Sequence, residues 1–158
     1  MKINFSNRGV LEIEDARIIY RNFAGVGSKY NREGDRNFAV IIPNEEIKDQ
    51  LVAEGWAVKI KPPRDEDDSP FMYLPVKIKF NARGPAVYVE SGKNVQRLNE
   101  DTISMLDEID IASVEMDLRP YDWVVNGKSG KSAYLQAMNV YQNIDRFGAR
   151  HQADELPF

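Results

Sequence analysis

The sequence predicts a mainly β domain: a Greek-key barrel of about five or six strands with one or two short helices. Three observations carry this. Apolar residues recur mostly with period two between turn residues. The first long strand pattern, Val10 to Tyr20, changes parity near Asp15-Ala16, as a bending strand does. The last pattern is a long hairpin about Asn126-Gly127 whose returning strand changes parity again, and such bulges let a small sheet curl. A β-sandwich would share most of this pattern.

The elements follow in order. Leu11, Ile13, Ile18 and Ile19 supply the apolar side of the bending strand, and residues 25–34 then form a polar, mobile loop. Phe38-Ala39-Val40-Ile41-Ile42 has the length of a buried strand and stops at Pro43. Asn44 can cap a helix, Glu45 and Glu46 suit its positive end, and Gly55 can close it in the left-handed conformation. Ile47, Leu51 and Val52 are its expected core face. Trp56, Val58 and Ile60 alternate with Lys59 and Lys61; beyond an acidic loop, Leu74, Val76, Ile78 and Phe80 alternate with Tyr73, Lys77 and Lys79. This reads as a hairpin in which burial of the aliphatic set sends the lysines and Tyr73 together to the opposite face.

Pro85 to Glu90 reads as a further strand, and Ile103, Leu106 and Ile109 could form a helical stripe. Val114, Met116 and Leu118 alternate with Glu115, Asp117 and Arg119, and Tyr121 and Trp123 continue the outward series. Asn126-Gly127 suits a type I′ turn. The inward set of the return, Ala133, Leu135 and Ala137, shifts to Met138 and Val140, which places a bulge near Ala137-Met138. Together these elements fit a barrel of the oligonucleotide-binding (OB-fold) type over residues 1–146, followed by an acidic tail at 147–158.

With 158 residues there is room for one domain with a real core. No apolar run reaches the about 18 residues of a membrane span, and Met1 to Arg8 lacks the apolar stretch of a secretory signal, so a soluble, intracellular protein with no membrane partner is expected. Cysteine is absent and His151 is the single histidine. That removes disulfide frameworks, zinc knuckles and nucleophilic sites needing cysteine or a histidine base. The net charge is −4, but Asp65, Glu66, Asp67, Asp68, Asp154 and Glu155 are clustered; setting them aside leaves 19 acids against 21 bases. The body is near neutral and carries acidic appendages.

Gly127-Lys128-Ser129-Gly130-Lys131-Ser132 has Val125 where a phosphate loop needs glycine, and Gly25-Val26-Gly27 has Tyr30 where a dinucleotide fingerprint needs one. Asp65 to Asp68 lack the glycine and distal glutamate of a calcium loop. A two-metal nuclease would draw on Asp101, Asp107, Glu108 and Asp110, whose spacing fixes no common site. No catalytic residue, metal or cofactor is therefore expected. What remains is cations interleaved with aromatics, the composition that single-stranded nucleic acid requires: cations for phosphates and flat rings for unpaired bases. Lys59, Lys61, Lys77, Lys79, Arg119, Lys128 and Lys131 are the phosphate candidates; Tyr73, Tyr121, Trp123, Tyr134 and Tyr141 are the stacking candidates. Lys29, Tyr30 and Arg32 could fold over a strand from the 25–34 loop. Trp56 and Phe38 share the parity of the aliphatic set and are expected in the core.

Asn37 to Pro43, Gly55-Trp56, Arg119-Pro120-Tyr121-Asp122-Trp123, Gly130 to Leu135 and Asp145-Arg146-Phe147-Gly148 together resemble phage-encoded single-stranded DNA-binding proteins with an OB-fold. The resemblance covers most of the chain. Asp154-Glu155-Leu156-Pro157-Phe158 also resembles the acidic tip of bacterial single-stranded DNA-binding proteins, which in that family recruits replication and repair partners. The resemblance implies a non-enzymatic protein in the cytoplasm of the bacterial host. It would coat exposed strands during phage DNA replication or recombination with low sequence preference, and contact partners through its tail. A phage structural or protein-interaction domain, whose lysines merely solvate it, is the alternative.

Overall fold

A computed structural model describes residues 1–144. Ten strands form one mixed sheet, in place of the expected five or six: β1 (Lys2–Phe5), β2 (Leu11–Ala16), β3 (Ile18–Asn22), β4 (Arg36–Ile42), β5 (Lys59–Lys61), β6 (Phe71–Ile78), β7 (Ala86–Ser91), β8 (Asn94–Leu98), β9 (Ile111–Val125) and β10 (Lys128–Gln142). The main path runs β1-β2-β9-β10-β6-β4-β3, with β5 beside β6 and the β7–β8 hairpin attached to β10. β10 is the organising strand. It lies antiparallel to β9 along nearly its whole length, parallel to β6 at Ala133–Tyr134, and parallel to β7 at Ala137–Tyr141.

The parity change in the first strand pattern is a real bend. Asp15 has φ +52°, the register of β2 on β9 shifts between Ile13 and Ala16, and Arg17 separates β2 from β3. One continuous segment thereby pairs with β9 through β2 and with β4 through β3, at opposite ends of the main path. The terminal hairpin turns at Asn126 and Gly127, both with positive φ, as a type I′ turn requires. Its bulge falls between Leu135 and Ala137, one residue before the expected place, and leaves Gln136 unpaired.

Helix α1 (Glu45–Ala53) is capped by the Asn44 side chain, which accepts the Ile47 N–H at 2.9 Å, and Gly55 follows it at φ +91°. Leu51 is buried, but Val52 is half exposed, because a nine-residue helix on a sheet edge presents only a narrow stripe to the core. Ile60 is also exposed, against expectation: β5 is three residues long and lies at the sheet margin, so neither of its faces is covered. The candidate stripe at 103–109 is a short 3-10 turn, Ile103–Asp107, that buries Ile103 and Leu106. β1 and β8 were not expected at all.

The core lies inside the curve of the sheet. Leu11, Ile13, Phe38, Val40, Leu74, Val76, Val114, Leu118, Leu135 and Val140 come from five strands, and the Phe23 and Phe38 rings stack at 5.2 Å between centroids. Trp56 and Phe38 are buried as expected. Among the described residues no polar or charged side chain is buried, so the inner face is uniformly apolar and the outer face carries the chemistry.

Candidate nucleic-acid interface

Burial of Leu74, Val76 and Ile78 turns Tyr73 and Lys77 to the outer face of β6, as period two demands. Strand pairing then sets outward residues side by side across four strands. Asn37 of β4 faces Lys77 of β6, Lys77 faces Tyr134 of β10, and Tyr134 faces Arg119 of β9. With strands about 4.8 Å apart this row is roughly 14 Å long.

Tyr134 is its centre. Arg119 lies 5.1 Å from the ring centroid, Lys79 5.7 Å and Lys77 5.9 Å, and the Tyr121 ring meets it edge-on at 5.9 Å. Each cation gains from the face of the ring, and the ring holds three positive charges together that would otherwise repel. Toward the hairpin turn, Trp123 stands opposite Gly130 in register. A Cβ built on Gly130 would lie 2.6 Å from Cζ2 of the indole, so Trp123 lies across the bare backbone of its neighbour.

A trough of about 840 Å³ runs beside the row, between β4, β6 and the loop before β4. Tyr73, Lys77, Lys79 and Tyr134 line one side; Tyr30, Arg32 and Phe80 help to line the rest. The loop expected to be mobile is tied down. The Asn31 side-chain amide donates to the carbonyls of Val26 at 2.9 Å, Arg32 at 3.2 Å and Asp35 at 3.0 Å, while its oxygen accepts from Asn37 at 2.9 Å. Asn37 ends the Tyr134 row, so the loop is seated on the row. Tyr30 is 91% exposed at its rim with the Lys29 ammonium 5.7 Å away.

The remaining candidates scatter. Lys59 and Lys61 sit on β5, opposite Tyr73 and Phe71, and Lys61 stands over Tyr20 rather than Tyr134. Lys128 is exposed at the hairpin turn. Lys131 points to the other side of the ribbon, 5.9 Å over the Trp56 ring, because it lies at odd spacing from Gly130 and Tyr134 is three residues on. Tyr141 is likewise apart: its hydroxyl donates to Glu115 at 3.1 Å, and its register partner on β7 is Glu90. That end of the sheet is acidic. Asp117 faces Glu12 across β9 and β2, and its carboxyl is raised above the ordinary range, first by desolvation and then by Glu12. The outward series of β9 thus changes sign between Asp117 and Arg119.

The imagined nuclease acids do other work. Asp107 accepts the N–H groups of Phe23 and Ala24 at 2.8 and 2.9 Å, and the Asp110 carboxylate accepts from Asn143 at 3.4 Å. Among the described residues no three metal-ligating side chains converge. His151 and the tail residues Asp154, Glu155, Leu156, Pro157 and Phe158 lie outside the described residues, as does Asp145 to Gly148. Among the described residues no helix is long and apolar enough to cross a membrane.

Sequence reasoning missed Tyr20, Phe71, Arg36 and Phe80. Arg36 lies 5.4 Å from the Phe80 ring and is held by the Phe23 carbonyl at 2.9 Å. The signal for Phe71 was present, since it shares the parity of Tyr73.

A family model described as "Putative phage ssDNA-binding domain" matches residues 3–158. The chain belongs to this family. Membership places it among domains described as binding single-stranded DNA. The fold is shared with solved structures of the single-stranded DNA-binding protein from bacteriophage Enc34. Its C-terminally truncated form superposes with a TM-score of 0.58 at 13% identity, covering 89% of this chain and 90% of that one. The same protein in complex with single-stranded DNA gives 0.55 at 16% identity, over 92% and 93%. No curated protein matches the sequence.

Proposed function

We propose that this protein binds single-stranded DNA along the Tyr134 row and the trough beside it, with little sequence preference. The observation that carries the reading is the register: Lys77, Tyr134 and Arg119 are neighbours on three strands, with Lys79 closing over the same ring. A ring flanked by cations offers a base its flat face and gives the adjoining phosphates three counter-charges. Family membership and the shared fold support it.

The reading extends in three directions. Residues 1–146 form an OB-type domain, supported by the bent β2–β3 segment that serves both ends of the sheet path. The protein coats strands exposed during phage DNA replication or recombination in the cytoplasm of the bacterial host. The tail at 147–158 contacts replication or recombination partners through Asp154 to Phe158, supported by its acidic Pro-Phe end.

Titration of intrinsic fluorescence with oligothymidine at several salt concentrations tests the reading. Three phosphates neutralised at Lys77, Lys79 and Arg119 alone give a log–log salt slope of about −2. Saturable quenching with at least that slope is the expected result. Absence of quenching, or an affinity indifferent to salt, refutes it in favour of a structural or protein-interaction domain.

A further inference from the structure

A second hollow, of about 430 Å³, lies behind Tyr20 and is lined by Tyr20, Lys61, Arg64, Asp68, Ser69 and Phe71 among others. Tyr20 lines both this hollow and the first trough, so the two adjoin at this residue. That ring is built into place. It meets Tyr73 edge-on at 5.4 Å and Phe71 at 6.4 Å, and the Lys61 ammonium donates to its hydroxyl at 3.4 Å while lying 5.7 Å from the centroid. Lys61 and Phe71 are register partners on β5 and β6, so their side chains leave the sheet on the same face.

Two features separate this cluster from ordinary packing. Tyr20 is 49% exposed, although three aromatic rings brought together for burial would be covered. Its backbone also sits at φ +56°, inside the register break of β3 on β4, a conformation that costs a non-glycine residue about 1–2 kcal/mol. Strain held in an exposed aromatic residue marks a position selected for where it puts the ring.

We infer that the hollow behind Tyr20 is a second nucleotide subsite of the same DNA-binding surface, so that a bound strand passes over Tyr20 after leaving the first trough. The inference rests on the DNA-binding reading above. Tyr20 and Phe71 supply the stacking faces. Lys61 and Arg64 supply the phosphate contacts. Asp68 and Ser69 also line the hollow; a carboxylate repels phosphate and accepts from a base N–H, the N3–H of thymine included, and a hydroxyl serves either group. The nucleotide therefore sits with its backbone toward Lys61 and its base edge toward Asp68.

The full chain and its Lys61→Gln and Phe71→Leu variants are compared on two oligothymidines, one of about 4 and one of about 16 nucleotides, the range a single such domain covers. The short one fills the first trough alone. Both variants are expected to bind the long oligomer at least five-fold more weakly and the short one unchanged, and Lys61→Gln to lower the long-oligomer salt slope by about 0.7. Unchanged affinity at both lengths overturns the subsite and leaves the DNA-binding reading standing. Equal loss at both lengths also overturns it, since Lys61 and Phe71 would then act on the first trough or on the fold. Failure of the unaltered protein to bind either oligomer removes the underlying reading and the subsite with it.

Discussion

Gly130→Ala distinguishes binding from folding at the β9–β10 arm. Gly130 has ordinary strand backbone, not a positive φ, so alanine is compatible with its conformation, and replacing a strand glycine gains about 0.5–1 kcal/mol. The new Cβ, however, would lie 2.6 Å from Cζ2, 3.0 Å from Cε2 and 3.3 Å from Cη2 of Trp123. Carbon atoms rest at about 3.5–4.0 Å, so the indole must lift by about 1 Å or swing to another rotamer. Either movement shifts the ring from its place across Gly130, on the same hairpin as the row. A base stacked on an aromatic ring contributes about 1–3 kcal/mol, and displacement rather than deletion costs near the lower bound, roughly five-fold in affinity. Fluorescence titration with oligothymidine measures this directly, because Trp56 is only 3% exposed and the responsive emission belongs to Trp123. Melting temperature is followed in parallel. The reasoning fails if affinity is unchanged, which would remove Trp123 from the DNA path, or if the melting temperature falls, which would make the glycine a folding requirement.

Three further outcomes are expected. Tyr134→Ala removes the ring that gathers Lys77, Lys79 and Arg119 and should weaken oligothymidine binding by about 1–3 kcal/mol, measured by titration, with less effect on melting than the change Leu118→Ala. Asn31→Ala leaves three loop carbonyls without their donor; protease cleavage within residues 25–34 should accelerate and affinity should drop, and both effects should be absent if the loop is held by its backbone alone. Asp117→Asn should raise the melting temperature at pH 7. Desolvation, then Glu12, raises the folded carboxyl above its unfolded value, so wild-type stability increases as pH falls through the folded value. The amide is already neutral, and its advantage should vanish below about pH 4. A constant advantage across that range would contradict the assignment.

Much of the outer face was legible from parity, because an apolar inner face leaves one arrangement for what remains. Leu74, Val76 and Ile78 inward fix Tyr73 and Lys77 outward, and the Asn126-Gly127 turn fixes which residues of β9 and β10 face one another. What the pattern lacked was pairing between distant strands. That Lys77 meets Tyr134 follows from β6 lying parallel to β10, which no local signal announces. β8 was invisible because Asn94 to Arg97 are exposed on both faces, so no alternation marks them. Tyr20 was missed because its left-handed backbone breaks the period that would have sorted it. Lys131 was grouped with Lys128 by composition, although a separation of three residues along a strand puts them on opposite sides.

The central place of β10 bears on how the molecule is made. β9, β6 and β7 all pair with it, yet it is the last described strand to leave the ribosome. Until it arrives, the β3–β4–β6 meander and the β1–β2 and β7–β8 hairpins have no common partner, and their unpaired edges stay open to wrong neighbours. Distant pairing of this kind slows folding and exposes strand edges to aggregation. The sheet path can therefore close only once the final hairpin is made, and a chain cut short before Lys128 would lack the strand that joins β9, β6 and β7.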